Sequence, residues 1–333
     1  MKQYDIILIG TGQATGTMLP EFLKMGKSVA TVEKELVGGT CVNWGCTPTK
    51  TLVAGARTAH MVRRAGDFGI NVSGFDIDFP KAMERQNRNR HKATTGFENW
   101  LREATDFYKG EARFVDNHHV QIGEVTIRGE TIYIHTGATA RIPPIPGIES
   151  VEYLDNRGIL SLQELPEHLI VIGGSYIGLE FSQIFRRFGS KVTVLERGPR
   201  IMSREDEDVS AEAERILAAE GIEIVHNVQV ESVAPAAASG SAGSSSRADG
   251  PEVSGAPGAG VAVRLQVAGK EQTLTGSHLL LATGRVPQTE GLHLEAAGVE
   301  TTDRGFVKVN EYLQTTAENI YAVGDVNGKS AFT

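Results

Sequence analysis

The chain has 333 residues, 40% hydrophobic and 22% charged, with a formal net charge of −8, the balance of a globular protein of two or three domains. It offers no basic field for nucleic acid, no apolar run near the ~20 residues a membrane helix needs, and no small-residue cleavage site behind its N-terminal apolar run, so a cytoplasmic protein without nucleic-acid or membrane partners is expected. Its two cysteines, Cys41 and Cys46, are too few for a secreted disulfide scaffold, and a close pair in a reducing compartment points first to catalysis and next to metal binding.

Tyr4–Ile9 is a short apolar run stopped by glycine and reads as a buried parallel strand. A helical stretch follows, then the apolar run Ser28–Val32 closed by Glu33, which makes a βαβ opening. The turn Gly10-Thr-Gly12-Gln-Ala-Thr15 follows the strand and opens the helix. Gly12 lets the backbone approach a pyrophosphate at a helix N-terminus, and Glu33 is spaced to bind ribose hydroxyls. Thr15 stands where the fingerprint has glycine for tight helix–strand packing, and Gly16 is expected to shift to compensate. A glycine-rich turn without a ligand is the bland alternative, which the strand, the spacing and Glu33 together oppose.

Gly38-Gly39-Thr40-Cys41-Val-Asn-Trp-Gly-Cys46-Thr-Pro48-Thr-Lys50 comes next. Two cysteines five apart at the start of a helix, expected after Pro48, can close a small disulfide ring. A helix N-terminus and a lysine both favour the thiolate. Zinc would need two further ligands, and no CxxC or HxxxH partner exists, so no metal site is expected. Two buried structural cysteines remain the alternative on the residues alone. Helices are expected over about 50–66 and 80–107, a β-rich stretch over about 111–135, and a proline-rich crossover at Ile142–Gly147. The basic run Arg85–Lys92 reads as a solvated helix face.

The opening plan then recurs: Leu169–Ile172, a Gly-rich turn, a helix through Phe188, and Lys191–Leu195 closed by Glu196. Two copies of one unit imply an α/β protein with two Rossmann-like dinucleotide-binding domains, the second inserted in the first. The expected boundaries are 1–150, 151–283 and 284–333. A carboxylate at Glu196 hydrogen-bonds a ribose 2′-OH and repels a 2′-phosphate, which favours NADH. Arg197 and Arg200 are adjacent and could pair a phosphate, which keeps NADPH open. Residues 234–260, almost all Ala, Gly, Ser and Pro, read as a disordered loop inserted in a hairpin.

GGTCVNWGCTPTK resembles the redox-disulfide signature of the class I pyridine nucleotide–disulfide oxidoreductases, which include dihydrolipoamide dehydrogenase, glutathione reductase and mercuric reductase. The resemblance covers essentially the whole chain, and GTGQAT and FRRFGSKVTVLER look closest to the mercuric-reductase-like branch. It implies FAD in the first domain, NADH or NADPH in the second, and a redox-active Cys41–Cys46 disulfide. Cys46 would be the charge-transfer thiolate nearer the flavin and Cys41 the interchange thiol. Lys50 would sit at the reactive flavin edge, Glu180 would pair with Lys50, and Tyr176 would gate the nicotinamide pocket. Implied flavin contacts are Gly10, Gly12, Glu33, Gly39, Thr40, Ala112, Thr136, Gly137 and Asp325, the last binding the ribityl chain. Implied nicotinamide-side residues are Gly173, Gly174, Ile177, Gly178, Glu196 and Arg197, with Gly284 and Arg285 in the returning crossover. Ser175 replaces the middle glycine of the second fingerprint, so a looser pyrophosphate approach is expected there.

Family members continue past the counterpart of Asp325 into a helix facing the flavin and a dimerisation domain that offers a catalytic histidine and its partnering glutamate across the dimer. The chain therefore reads as a piece lacking that domain, with a homodimer expected of the full-length parent. None of its nine histidines sits in such a motif, and His118, His119, His226 and His278 read as surface residues. Three functions follow: a disulfide oxidoreductase with a small-molecule or metal-ion acceptor, an NADH:acceptor flavoenzyme passing electrons directly to quinone, oxygen or metal, and a catalytically incomplete flavin-binding fragment.

Overall fold

The computed structural model describes residues 1–236 and 260–329. In chain order its first elements are β1 (Gln3–Ile9), α1 (Gln13–Lys24), β2 (Val29–Glu33), α2 (Gly39–Trp44), α3 (Cys46–Arg63), α4 (Phe79–Ala104), β3 (Asp106–Lys109), β4 (Ala112–Phe114), β5 (His119–Ile122), β6 (Val125–Ile134) and β7 (Ala138–Ala140). Then come β8 (Tyr153–Leu154), α5 (Asn156–Ile159), β9 (His168–Ile172), α6 (Tyr176–Phe188), β10 (Lys191–Leu195), α7 (Glu207–Ala219), β11 (Glu223–Val225) and β12 (Gln229–Pro235). The last are β13 (Val261–Val267), β14 (Lys270–Gly276), β15 (His278–Leu281), β16 (Arg285–Pro287) and β17 (Ile320–Ala322). The chain divides into one unit of Met1–Thr47, Arg88–Thr139 and Arg285–Thr333 and a second of Pro48–Asn87 and Ala140–Gly284.

The first unit is built on the parallel run β3-β2-β1-β6, with β17 also parallel to β6 and β5 and β4 extending it antiparallel. The continuous apolar wording of β1 is that of a strand covered on both faces. Alternate residues go to opposite sides: Ile7 and Ile9 join Ile132, Ile134 and Phe114 in one cluster, while Ile6 and Leu8 join Leu19 and Leu101 in another.

The second unit repeats the plan as the parallel sheet β11-β10-β9-β15-β8. Leu169 and Val171 pack with Phe185 and Val194 on one side, and Ile170 and Ile172 with Leu279 and Leu281 on the other. The meander β12-β13-β14 follows. Val233 pairs with Val263 across β12 and β13, so the low-complexity segment does interrupt a hairpin; its residues 237–259 lie outside the described residues. Among the described residues no helix is long and apolar enough to cross a membrane.

Both α/β units place a glycine-rich turn at the carboxyl end of their first long parallel strand, β1→α1 and β9→α6. Ligands of open α/β sheets bind at that end.

Candidate functional site

The first turn is fixed by close approach. A Cβ at Gly10, whose φ is +99°, would stand 2.3 Å from the His135 carbonyl oxygen. One at Gly12 would meet the His135 ring at 2.9 Å, and one at Gly39 would reach Gly12 Cα at 3.0 Å. The two turns thus face each other as bare backbone, a cradle that any side chain would fill. At the start of α1 no side chain caps the helix and no acidic residue occupies the first turn, which leaves its N–H groups and positive dipole end for an anion. Glu33 closes β2 nearly buried. Its Oε2 accepts from the Thr11 amide (3.1 Å) and hydroxyl (2.6 Å), and its Oε1 from the Glu35 amide (2.8 Å). These features fit the pyrophosphate and ribose of FAD.

Thr15 is fully buried, while Gly16 is exposed, and a Cβ there would meet the edge of the Phe97 ring at 3.8 Å. The expected compensation by Gly16 is therefore corrected: Thr15 itself packs against the sheet, its hydroxyl donating to the Gly10 carbonyl at 3.2 Å.

Cys41 and Cys46 form a disulfide with a Cα–Cα separation of 4.6 Å. The helix was expected to start after Pro48; instead Cys46 is the first residue of α3 and Cys41 lies in its own short helix, α2. Pro48 falls in the first turn of α3, where its missing N–H has no helical acceptor to lose. Asn43, buried between the cysteines, donates to the carbonyls of Val37 (2.9 Å) and Gly39 (3.0 Å) and accepts from the Thr94 hydroxyl (2.6 Å). The Arg90 guanidinium lies over the Trp44 ring at 4.9 Å. Asn43 and Trp44 therefore pin the disulfide loop to α4, a role the sequence did not announce.

Lys50 lies four residues beyond Cys46 on α3 and ion-pairs with Glu180 on α6, as the resemblance implied. Tyr176 opens α6 and its hydroxyl donates to the Glu205 carboxylate, which raises the phenol's pKa; Glu205 was not anticipated.

The second turn repeats the first. A Cβ at Gly173 (φ +116°) would stand 2.4 Å from the Ala282 carbonyl oxygen, and one at Gly178 would stand 2.1 Å from that of Gly173. Glu196 accepts from the amides of Gly174 (2.7 Å) and Gly198 (2.6 Å). Ser175 is exposed and extended at the N-cap, with no side-chain cap and no acidic residue in the following turn, so a hydroxyl replaces the glycine without a strained backbone. Ile177 and Arg197 are exposed. Arg200 donates to the carbonyls of Glu205 (2.8 Å) and Ser203 (3.2 Å), holding their loop.

In the returning segment of the first unit, the Thr136 hydroxyl donates to the Gln288 carbonyl (2.6 Å) and the Gln288 amide to the Gly137 carbonyl (2.9 Å). Arg285, read only as crossover, ion-pairs with Asp325 at 3.1 Å. Ala112 is buried on β4, and Gly284 takes a positive φ of +118°. His118, His119, His226 and His278 are half-buried and hydrogen-bonded or otherwise engaged rather than free surface residues. The one histidine that borders the site, His135, was missed. Its signal was its place before Thr136-Gly137, the counterpart of Ala282-Thr283-Gly284 in the second repeat.

Comparison with known proteins follows the same lines. The family described as pyridine nucleotide-disulphide oxidoreductase matches residues 4–332. The probable pyridine nucleotide-disulfide oxidoreductase RclA of Escherichia coli K12 is 36% identical over 100% of this chain and 68% of its own length. A mercuric reductase of Bacillus cereus is 33% identical over 97% of this chain and 48% of its length. The solved Cu(II) complex of E. coli RclA, an HOCl-induced flavoprotein disulfide reductase, superimposes with a TM-score of 0.83 at 34% identity, covering 100% of this chain and 68% of that one. This chain thus spans from about half to two thirds of these relatives. Two glycine-rich turns, each with its carboxylate, and a disulfide at a helix start agree with this match: the chain belongs to the pyridine nucleotide-disulphide oxidoreductase family.

Proposed function

We propose that electrons enter from NADH in the second unit, pass through FAD in the first, and reach the Cys41–Cys46 disulfide, which delivers them to a small-molecule disulfide or a metal ion. The observation that carries this reading is the closed Cys41–Cys46 disulfide at the start of α3, in the same unit as the Gly12–Gly39 cradle. FAD held by Gly10, Gly12, Glu33, Gly39, Thr40, Ala112, Thr136, Gly137 and Asp325 supplies the two-electron carrier.

Two electrons and one proton convert the disulfide to a thiol and a thiolate. The amino end of the 18-residue α3 stabilises an anion on Cys46. Cys41 attacks one sulfur of a disulfide acceptor as its thiol proton passes to the other acceptor sulfur, which leaves. Cys46 then attacks Cys41, re-forming the ring and releasing the second acceptor sulfur, which is protonated in turn. Lys50, oriented by Glu180, supplies a fixed positive charge for the reduced state. Tyr176 covers the nicotinamide pocket, with Gly173, Gly174, Ile177 and Gly178 along the dinucleotide. Glu196 selects NADH: its carboxylate is already oriented by two amides, and Arg200, spent on loop carbonyls, is not free to answer a 2′-phosphate. Metal ions are an acceptor class because the relatives include a mercuric reductase and a Cu(II) complex.

Anaerobic titration of FAD-loaded protein with dithionite and then NADH tests this. Cys41→Ser should show a permanent long-wavelength absorbance band at neutral pH, and Cys46→Ser should abolish it. A Cys41→Ser protein without that band overturns the assignment of the two sulfurs. Flavin bleaching with no such band in the unmodified protein overturns the disulfide relay.

A further inference from the structure

The two repeats have the same backbone at the turn but different side chains behind it. A Cβ at Gly10 would lie 2.3 Å from the His135 carbonyl oxygen, and one at Gly173 would lie 2.4 Å from that of Ala282. The His135 amide donates to Ile9 at 2.7 Å, and the Ala282 amide to Ile172 at 2.9 Å. In the second unit the positions behind the turn are Gly178 and Ala282, where a Cβ at 178 would stand 3.2 Å from the Ala282 methyl. The same positions in the first unit hold Thr15 and His135.

Both side chains are buried, Thr15 at 0% exposure and His135 at 8%. Thr15 Oγ1 lies 3.3 Å from His135 Nδ1 and donates its hydrogen to the Gly10 carbonyl. The imidazole then carries its proton on Nδ1 and donates it to Thr15. The ring lies against Gly12 on one side and Gly324 on the other, at 2.9 and 3.2 Å from where their Cβ atoms would be. One residue therefore touches the backbone of the pyrophosphate turn and of the segment that carries Asp325.

We propose that His135 is a positioning residue for FAD: hydrogen-bonded to Thr15, it replaces the small-residue packing of the second unit and holds the Gly12 and Gly324 segments at their FAD-binding separation. This rests on reading the Gly10–Gly12 turn as the FAD site. Burial depresses the imidazole pKa to about 4, so the ring is neutral when it does this. The charged groups on the packed segments are otherwise engaged, Glu33 with Thr11 and Asp325 with Arg285.

The test measures FAD affinity by titrating deflavinated full chain with FAD, alongside the melting of each apoprotein. His135→Ala should weaken FAD binding about 10- to 100-fold, the scale of a lost buried side chain and its hydrogen bond. His135→Asn, whose amide can replace the Nδ1 contact, should recover most of it. Thr15→Gly with His135→Ala, which copies the second unit, should bind FAD more tightly than His135→Ala alone. FAD binding by the unmodified protein should weaken as pH falls through about 4, where the folded ring takes up its proton, by a component that His135→Asn lacks. Unchanged affinity in His135→Ala, or a loss that Asn does not recover and that only tracks apoprotein melting, overturns the proposal. Glu33→Ala separates the two readings. If it leaves FAD affinity intact, the assignment of the turn to FAD fails. If it weakens FAD while His135→Ala is silent, His135 alone is misread.

Discussion

The turns after β1 and after β9 solve one problem with two chemistries. Each pins a strand-end carboxylate with an amide of the turn and an amide two residues further on, Glu33 by Thr11 and Glu35, Glu196 by Gly174 and Gly198. Each requires glycine at its first position because a neighbouring carbonyl leaves no room for Cβ. Behind the turn they part. The second unit brings helix and strand together through Gly178 and Ala282. The first fills the same place with Thr15 and a buried imidazole. The difference teaches that a dinucleotide turn needs a fixed separation between helix and strand, and that two small residues or one hydrogen-bonded pair can set it. The second solution ties the turn to the protonation state of a histidine.

The sharpest way to break this comparison is to write the first turn's residue into the second. Gly178→Thr would drive a Cβ into the Gly173 carbonyl, 2.1 Å away, with no imidazole behind it to hydrogen-bond the hydroxyl. A loss of 4 kcal/mol or roughly that order is expected, seen as a lower melting temperature and lost NADH binding. A fully stable Gly178→Thr protein would show that the separation is not fixed as described.

The imidazole gives the next largest effect. A histidine whose folded pKa is depressed from 6.5 to about 4 leaves the unfolded chain to take up the proton first. Stability is then complete above pH 6.5 and is lost as pH falls toward 4, on the order of 3 kcal/mol in all. Denaturant melts of wild type and His135→Asn should converge across that window, since the variant lacks this loss; parallel curves would contradict the buried neutral ring.

Between the carboxylates the comparison concerns coenzyme choice. Glu196→Ala should narrow the gap between NADH and NADPH by about 1–3 kcal/mol, the scale of one unmade polar contact, read from the two kcat/KM values. A protein that strongly prefers NADPH would transfer the specificity to Arg197. The smallest effect is expected at Lys50–Glu180. With side chains 68% and 30% exposed, the pair should contribute less than about 1 kcal/mol to stability. Glu180→Gln should leave the melting temperature nearly unchanged while slowing NADH-driven reduction of the disulfide. A large loss of stability would make the pair structural instead.

Periodicity, glycine spacing and the cysteine signature were enough to read the α/β class, both glycine-rich turns, their closing carboxylates, the disulfide pair and the interrupted hairpin. These are local properties: the chemistry of a strand end, a tight turn or a five-residue ring is written in adjacent residues. Other features depended on residues far apart in the chain. Periodicity could not show that α3 begins at Cys46 rather than after Pro48, because proline is as acceptable inside a first turn as before one. It placed Thr15 as a flaw for Gly16 to mend, because the residue that satisfies Thr15 lies 120 positions away. The ion pair of Arg285 with Asp325, the brace of Asn43 by Thr94 and the hold of Glu205 on Tyr176 share that origin. Sequence alone determined which chemistry each segment could carry. Only the tertiary structure decided which polar groups share a buried space, since burial and partnership arise when distant segments pack and exclude water.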